Sequence, residues 1–148
     1  MAKRQKLSKL AKAKANPKSN YWRNQADKLW ASTIRAVGSC EICGKTEDLQ
    51  AAHLIPREIK ATRHDVYNGL CLCAKCHKWG MSSIHRNPAK TFCWLRQNKP
   101  RQFDWLNHNV HNVSTEAVDY KEAYWQLLPI STLNMNKYTS FTVKRETE

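Results

Sequence analysis

Two cysteine pairs of one form, Cys40-Glu41-Ile42-Cys43 and Cys73-Ala74-Lys75-Cys76, stand twenty-nine residues apart. Tetrahedral zinc takes two thiolates from each of two tight turns, and Gly44 after the first pair permits the close backbone approach such a turn makes. The spacing points to one zinc on Cys40, Cys43, Cys73 and Cys76. Four thiolates leave no open position for water, so this ion staples the fold and is not the catalyst. Cys71 offers a competing ligand through Cys71-Leu72-Cys73, but Cys73 and Cys76 repeat the first pair's spacing. Cys71 and Cys93 then read as ordinary thiols in or near the core. The remaining chemistry rests with imidazoles, which can accept a proton near neutral pH or ligate a divalent ion. His53 and His64 lie between the pairs, His77 follows Cys76 at once, and His85 comes soon after.

Four segments in order carry a family pattern: Cys40-x-x-Cys43; Ala52-His53-Leu54-Ile55-Pro56-Arg57; Asn68-Gly69-Leu70; and Leu72-Cys73-x-x-Cys76-His77. This order resembles zinc-containing HNH (ββα-metal) endonucleases, and looks closest to small phage-borne members. The similarity spans about residues 40–95, since Ile84-His85-Arg86-Asn87-Pro88 with Phe92 and Trp94 also resembles the stretch after the motif in some of them. The resemblance implies a hairpin and a helix gripping one divalent ion, Mg²⁺ or Mn²⁺, with zinc knuckles buttressing both ends. It implies His53 as general base, Asn68 as the asparagine that bonds across the hairpin turn to orient it, and His77 as metal ligand. The implied reaction is metal-dependent hydrolysis of DNA phosphodiesters, by nicking or by cutting both strands, leaving 5′-phosphate and 3′-hydroxyl.

The family usually places Asp or His immediately before the base as a metal ligand, and here that position is Ala52. Three readings follow. His85, or Asp65 from the loop, completes the shell; His77 and substrate phosphate suffice with waters; or the site is weakened. Two rival functions stand beside the nuclease: a zinc-containing accessory protein that binds nucleic acid without cutting it, and a structure-selective nuclease for branched DNA. Arg57, Arg63, Lys75, Lys78 and Arg86 flank the site and are candidates for the DNA backbone, contacts that position a duplex without reading it. His64, His108 and His111 read as solvated or surface residues.

These residues need elements to hold them. Trp22, Ala26, Leu29, Trp30, Ile34 and Val37 recur at helical steps, predicting a helix from Tyr21 to Val37, capped by Ser19 or Asn20 and stopped at Gly38. Leu70 and Leu72 predict a short strand before the second knuckle. Asn87-Pro88 reads as a cap with proline at the first helical position, starting a helix to about Gln97. Ser114 opens a further helix that Pro129 ends. The expected fold is therefore α+β: a basic flexible arm over 1–19, an N-terminal helix over 20–39, the zinc-stapled core over 40–97, and a helical C-terminal extension over 98–148.

Charge supports the same partner. The formal net charge is +13, and residues 1–100 carry 20 Lys/Arg against 6 Asp/Glu while 101–148 carry 5 against 6. A field concentrated in that way suits a polyanion, and Lys3, Arg4 and Lys6 of the arm join the candidate DNA contacts. A short helix around Leu7, Leu10 and Ala11 is expected only once phosphates neutralise the arm. No stretch approaches the roughly 18 apolar residues of a membrane span, and no signal peptide is evident, so the expectation is a cytoplasmic protein, in the host cell if phage-encoded. Monomer and homodimer both remain open.

Overall fold

The computed structural model describes residues 8–133. Five helices and one hairpin follow in the order α1 (Lys9–Ala15), α2 (Asn20–Arg35), β1 (Leu49–His53), β2 (Gly69–Cys73), α3 (Pro88–Asn98), α4 (Pro100–Asn109) and α5 (Tyr120–Thr132). Lys3, Arg4 and Lys6 lie outside the described residues. Among the described residues no helix is long and apolar enough to cross a membrane.

The hairpin is the organising element. β1 and β2 pair antiparallel from Leu49 opposite Cys73 to His53 opposite Gly69. Side chains alternate between faces along a strand, so the hairpin has two apolar sides and each needs a cover. One core joins Trp30 and Ile34 of α2 to Cys71 and to Leu127 of α5. The other joins Ala52, Leu70 and Leu72 to Ile84, Leu95 of α3 and Leu106 of α4. Contact with α2 is close enough to dictate a residue: a Cβ on Gly69 would sit 2.4 Å from Ile34 Cδ1 and 2.9 Å from Trp30 Cζ2. Only glycine lets α2 approach the start of β2 in this way. On the other side, Gln102 of α4 donates to the Tyr67 and Gly69 carbonyls, both at 2.8 Å.

Local signals account for most helix ends. Ser19 caps α2 by accepting from the Trp22 amide, Gly38 follows it with φ 80°, and Asn87 caps α3 with Pro88 in its first turn. Two expectations differ from the structure. The described part of the basic arm is helical at Lys9–Ala15, with Ser8 as cap. This helix needs no phosphate, because Trp22 Nε1 donates to the Lys14 carbonyl at 2.9 Å and Ser19 Oγ to the Ala13 carbonyl at 2.6 Å. The last helix neither opens at Ser114 nor ends at Pro129. Asp119 caps it, accepting from the Glu122 amide at 2.8 Å, and the Tyr120 and Lys121 amides donate to the Pro17 carbonyl. It continues to Thr132 because Leu127 and Ile130, on either side of Pro129, pack against α2. Interior proline costs a helix roughly 3 kcal/mol, which burial of this face offsets.

Candidate functional site

The knuckles come first because they fix where β2 ends. Gly44, at φ 76°, donates its amide to the Cys40 carbonyl at 2.8 Å and closes the first turn. Cys40, Cys43, Cys73 and Cys76 bring their sulfurs within 4.8 Å of one another. A zinc–sulfur bond of roughly 2.3 Å gives a tetrahedral edge of about 3.8 Å. Cys43 Sγ and Cys73 Sγ stand 3.7 Å apart, so the cluster has the size zinc requires. Burial alone would raise the Cys40 thiol, but the backbone amides of Cys73, Cys43 and Ile42 outweigh it and bring the pKa down to about 7. That favours the thiolate, the form that binds metal, at Cys40, whereas burial and the neighbouring cysteines push the Cys76 thiol up.

Cys71 is not in the cluster. It is buried against α2, where burial and the neighbouring Glu41 charge push its thiol up to about 11. Glu41 itself ties the knuckle down: one carboxylate oxygen accepts from the Cys71 amide at 2.7 Å, and the other pairs with Lys99. Cys93 departs from the expected core placement and is exposed on α3.

His53 ends β1. Its ring stacks on the Trp30 indole, with centroids 3.9 Å apart and planes at 15°. Nε2 lies 2.9 Å from the Arg63 carbonyl oxygen. A carbonyl can only accept, so Nε2 carries the proton and the Nδ1 lone pair is left available. Burial lowers the pKa of His53 below its usual 6.5, opposed in part by the bond to that carbonyl, so the ring is neutral near pH 7.

The loop between the strands is folded around Asn68, whose exposure is 0%. Its Oδ1 accepts from the Ile55 amide at 2.7 Å, and its Nδ2 donates to the carbonyls of Ile55 at 3.1 Å and Thr62 at 2.9 Å. Asn68 therefore holds both ends of the segment that brings the Arg63 carbonyl to His53. It acts on His53 through this loop and makes no direct bond to the ring.

On the other face of β1, His77 sits in a single π-turn, Lys75–Trp79, closed by the Gly80 amide donating to the Lys75 carbonyl at 2.8 Å. Gln50 Oε1 accepts from His77 Nδ1 at 2.7 Å, which leaves Nε2 free to ligate. Burial, then the charges of His85, Lys78 and His53, lower the His77 pKa to about 4. The segment after the turn folds back, with the His85 amide donating to the His77 carbonyl, and the two imidazoles meet edge to face at 4.8 Å. Among the described residues, the four cysteines form the one group of three or more ligating His, Cys, Asp or Glu side chains, so His77 and His85 stand as a pair.

Asp65 is committed elsewhere. Its Oδ1 accepts from the Tyr67 amide at 2.8 Å and its Oδ2 from Trp105 Nε1 at 3.1 Å, so of the two expected partners for His77 only His85 lies beside it. Ala52 is fully buried in the core beneath α3 and α4.

Arg63 is not a surface cation. It is buried, and its guanidinium makes a bidentate pair with Asp27, Nε at 2.8 Å and Nη2 at 2.7 Å, while Nη1 donates to the Arg57 carbonyl. His64, expected to be solvated, is also buried, with Nε2 2.7 Å from Asp27 Oδ1. Burial would raise the Asp27 carboxyl, but the hydrogen bonds and charges of Arg63 and His64 hold it far below the usual carboxylate range. Arg57, Lys75, Lys78 and Arg86 are exposed as expected, and so are His108 and His111.

Three members of the site escaped the sequence reading. Asp27 is the one acidic residue in the first forty and shares a helical face with Trp30 and Ile34, which was a usable signal. Trp30 read only as core. Gln50 carried no signal, because its role depends on where the π-turn falls.

The sequence profile described as HNH endonuclease matches residues 40–79, which span both knuckles, His53, Asn68 and His77. No curated protein and no solved structure is significantly similar to the chain. The match covers well under half of the chain, and together with the four-cysteine cluster it fits a zinc-binding HNH type for this central block.

Proposed function

We propose that the protein is a metal-dependent DNA endonuclease whose general base is Nδ1 of His53. The observation that carries this reading is the bond from His53 Nε2 to the Arg63 carbonyl, which presents an unprotonated nitrogen in a fixed direction on a neutral ring. Nδ1 takes a proton from water as the water oxygen bonds to phosphorus. The bond from phosphorus to the 3′ oxygen breaks, and the leaving oxygen is protonated by solvent, giving 5′-phosphate and 3′-hydroxyl. His77 through Nε2, with His85 beside it, would hold a divalent ion, Mg²⁺ or Mn²⁺, which supplies charge stabilisation at the phosphate and leaving oxygen. Asn68 and Trp30 position His53: the first shapes the loop that presents the carbonyl, the second fixes the plane of the ring. Arg57, Lys75, Lys78 and Arg86 take the phosphate backbone. Zinc on Cys40, Cys43, Cys73 and Cys76 keeps the π-turn registered on the hairpin.

One observation favours a second reading, a nucleic-acid-binding module without cleavage: the Ala52 methyl is packed in the core where the family's additional ligand stands. Supercoiled plasmid with Mg²⁺ or Mn²⁺ separates the two. The nuclease reading expects nicking by the natural protein and a loss of about 10²–10⁴-fold in His53→Ala. Binding without nicking by the natural protein supports the module, and undiminished nicking by His53→Ala removes His53 from the chemistry.

A further inference from the structure

The π-turn that carries His77 and the residues just after it hold two large apolar side chains in solvent. Trp79 is 69% exposed and Met81 77% exposed. The backbone of the loop that carries them is braced. The Ser83 amide donates to the Gly80 carbonyl at 2.9 Å, Ser83 Oγ to the Lys78 carbonyl at 3.0 Å, and the Ile84 amide to the Cys76 carbonyl at 3.0 Å. Ser83 and Ile84 are buried at the base of the loop, so its tip is fixed by its own backbone. The backbone beneath the apolar pair is thereby tied down before anything covers it.

The surroundings select what covers it. From Val66 to Phe103 the chain has seven Lys/Arg and no Asp/Glu. Lys75, Lys78, Arg86 and Lys90 are exposed around the tip, and among the described residues none of the four is in a salt bridge. Arg86 Nη1 reaches Met81 Sδ at 3.5 Å and Lys90 Nζ donates to Ser82 Oγ at 3.0 Å, so two of these cations lie against the loop that carries Met81. An exposed aromatic and thioether on a loop with exposed cations that have no acidic partner among the described residues match a polyanion that also offers apolar faces, which is a nucleic acid with an accessible base.

We infer that Trp79, with Met81, is a wedge that stacks on a displaced base of the DNA strand whose phosphates are held by Lys75, Lys78, Arg86 and Lys90, next to His77. The substrate class is DNA that unstacks cheaply: mismatched, bulged or single-stranded at the site. This deepens the endonuclease reading and rests on its DNA substrate, though not on cleavage.

The test uses full-length, zinc-loaded protein in Ca²⁺ and short duplexes carrying one 2-aminopurine, either fully paired or bulged at that base. The natural protein is expected to bind the bulged duplex about tenfold tighter and to change the 2-aminopurine fluorescence. Trp79→Ala is expected to lose that preference and signal while keeping its dependence on salt, and Trp79→Phe to keep part of both. Unchanged zinc content and circular dichroism establish that the variants fold. Equal affinity for both duplexes, or Trp79→Ala behaving as the natural protein, overturns the wedge. Trp79-dependent binding to vesicles of anionic phospholipid, with no fluorescence change on DNA, overturns it in favour of a membrane surface. Cleavage with no 2-aminopurine change defeats the wedge alone, and a Trp79-dependent change with no cleavage in either Mg²⁺ or Mn²⁺ defeats the nuclease reading alone.

Discussion

Replacing Asp27 by Asn should impair His53, to which Asp27 makes no hydrogen bond. The Asp27 carboxylate makes a bidentate pair with Arg63 and also meets His64, and the Arg63 backbone carbonyl is the acceptor that sets the His53 ring. Asn keeps the volume but removes the charge, leaving a guanidinium whose side chain is only 10% exposed facing a neutral amide. Breaking a buried ion pair by removing one partner costs about 3–5 kcal/mol. The lower end applies, about 3 kcal/mol, because the Asp27 side chain is 34% exposed and water can take part of the load. That is a large share of the 5–15 kcal/mol typical of a domain, so urea titration of the zinc-loaded protein should show a clear fall in midpoint.

The consequence for catalysis is separate. An Arg63 side chain seeking another partner pulls on its own carbonyl, and displacement of a positioning group by about 1 Å can cost on the order of 10²-fold. Plasmid nicking by Asp27→Asn, in conditions where it remains folded, should therefore show kcat reduced about a hundredfold with KM little changed. Asp27→Glu should recover part of the loss. The His53 imidazole resonances report the geometry directly. If the variant nicks at the natural rate and those resonances do not move, the chain of reasoning from Asp27 through Arg63 to His53 is wrong.

Two further outcomes follow from the same geometry. Cys40→Ala should release zinc and unfold the central block, because metal binding to such a cluster is folding free energy; intact folding at zero zinc content by elemental analysis contradicts the staple. The pH dependence has a definite sign. His53 acts as base only when neutral, and burial holds its pKa below 6.5, so the acid limb of log kcat/KM should have its midpoint below 6.5. The unfolded chain binds more protons at this group between its folded pKa and 6.5, so the stability from burying a neutral His53 is fully present above 6.5 and is lost as pH falls through the folded value. A limb above 6.5 would indicate a different base.

The four-cysteine cluster and the candidate site residues were read from the sequence for different reasons. Cys73 and Cys76 could be chosen over Cys71 because ligand spacing is a local property of a tight turn, and the structure leaves Cys71 in the apolar core. His53, Asn68 and His77 were singled out through an ordered pattern; His53 ends β1, Asn68 stands just before β2 and His77 lies in the π-turn. Arg63 was misread as a DNA contact because a cation beside a basic motif looks the same in sequence whether its acid partner is solvent or a helix. Asp65 read as a spare ligand because a carboxylate in a loop shows no sign of the amide and indole that occupy it.

What the sequence determined by itself was mostly local: the two C-x-x-C knuckles, a helix start at Ser19 or Asn20, the Asn87 cap and the short strand before the second knuckle, beside a basic field suited to a polyanion. The local features rest on neighbours within a turn or two, where residue type and backbone geometry are tightly coupled. The tertiary structure alone decided that Arg63 turns inward to Asp27, thirty-six residues away, and that His53 donates through Nε2 and so presents Nδ1. It likewise decided that α5 runs through Pro129 and that Trp79 stands in solvent beside His77. These outcomes are choices among partners, and a partner distant in the chain becomes available only when packing on the hairpin's two faces brings α2, the loop and the π-turn together.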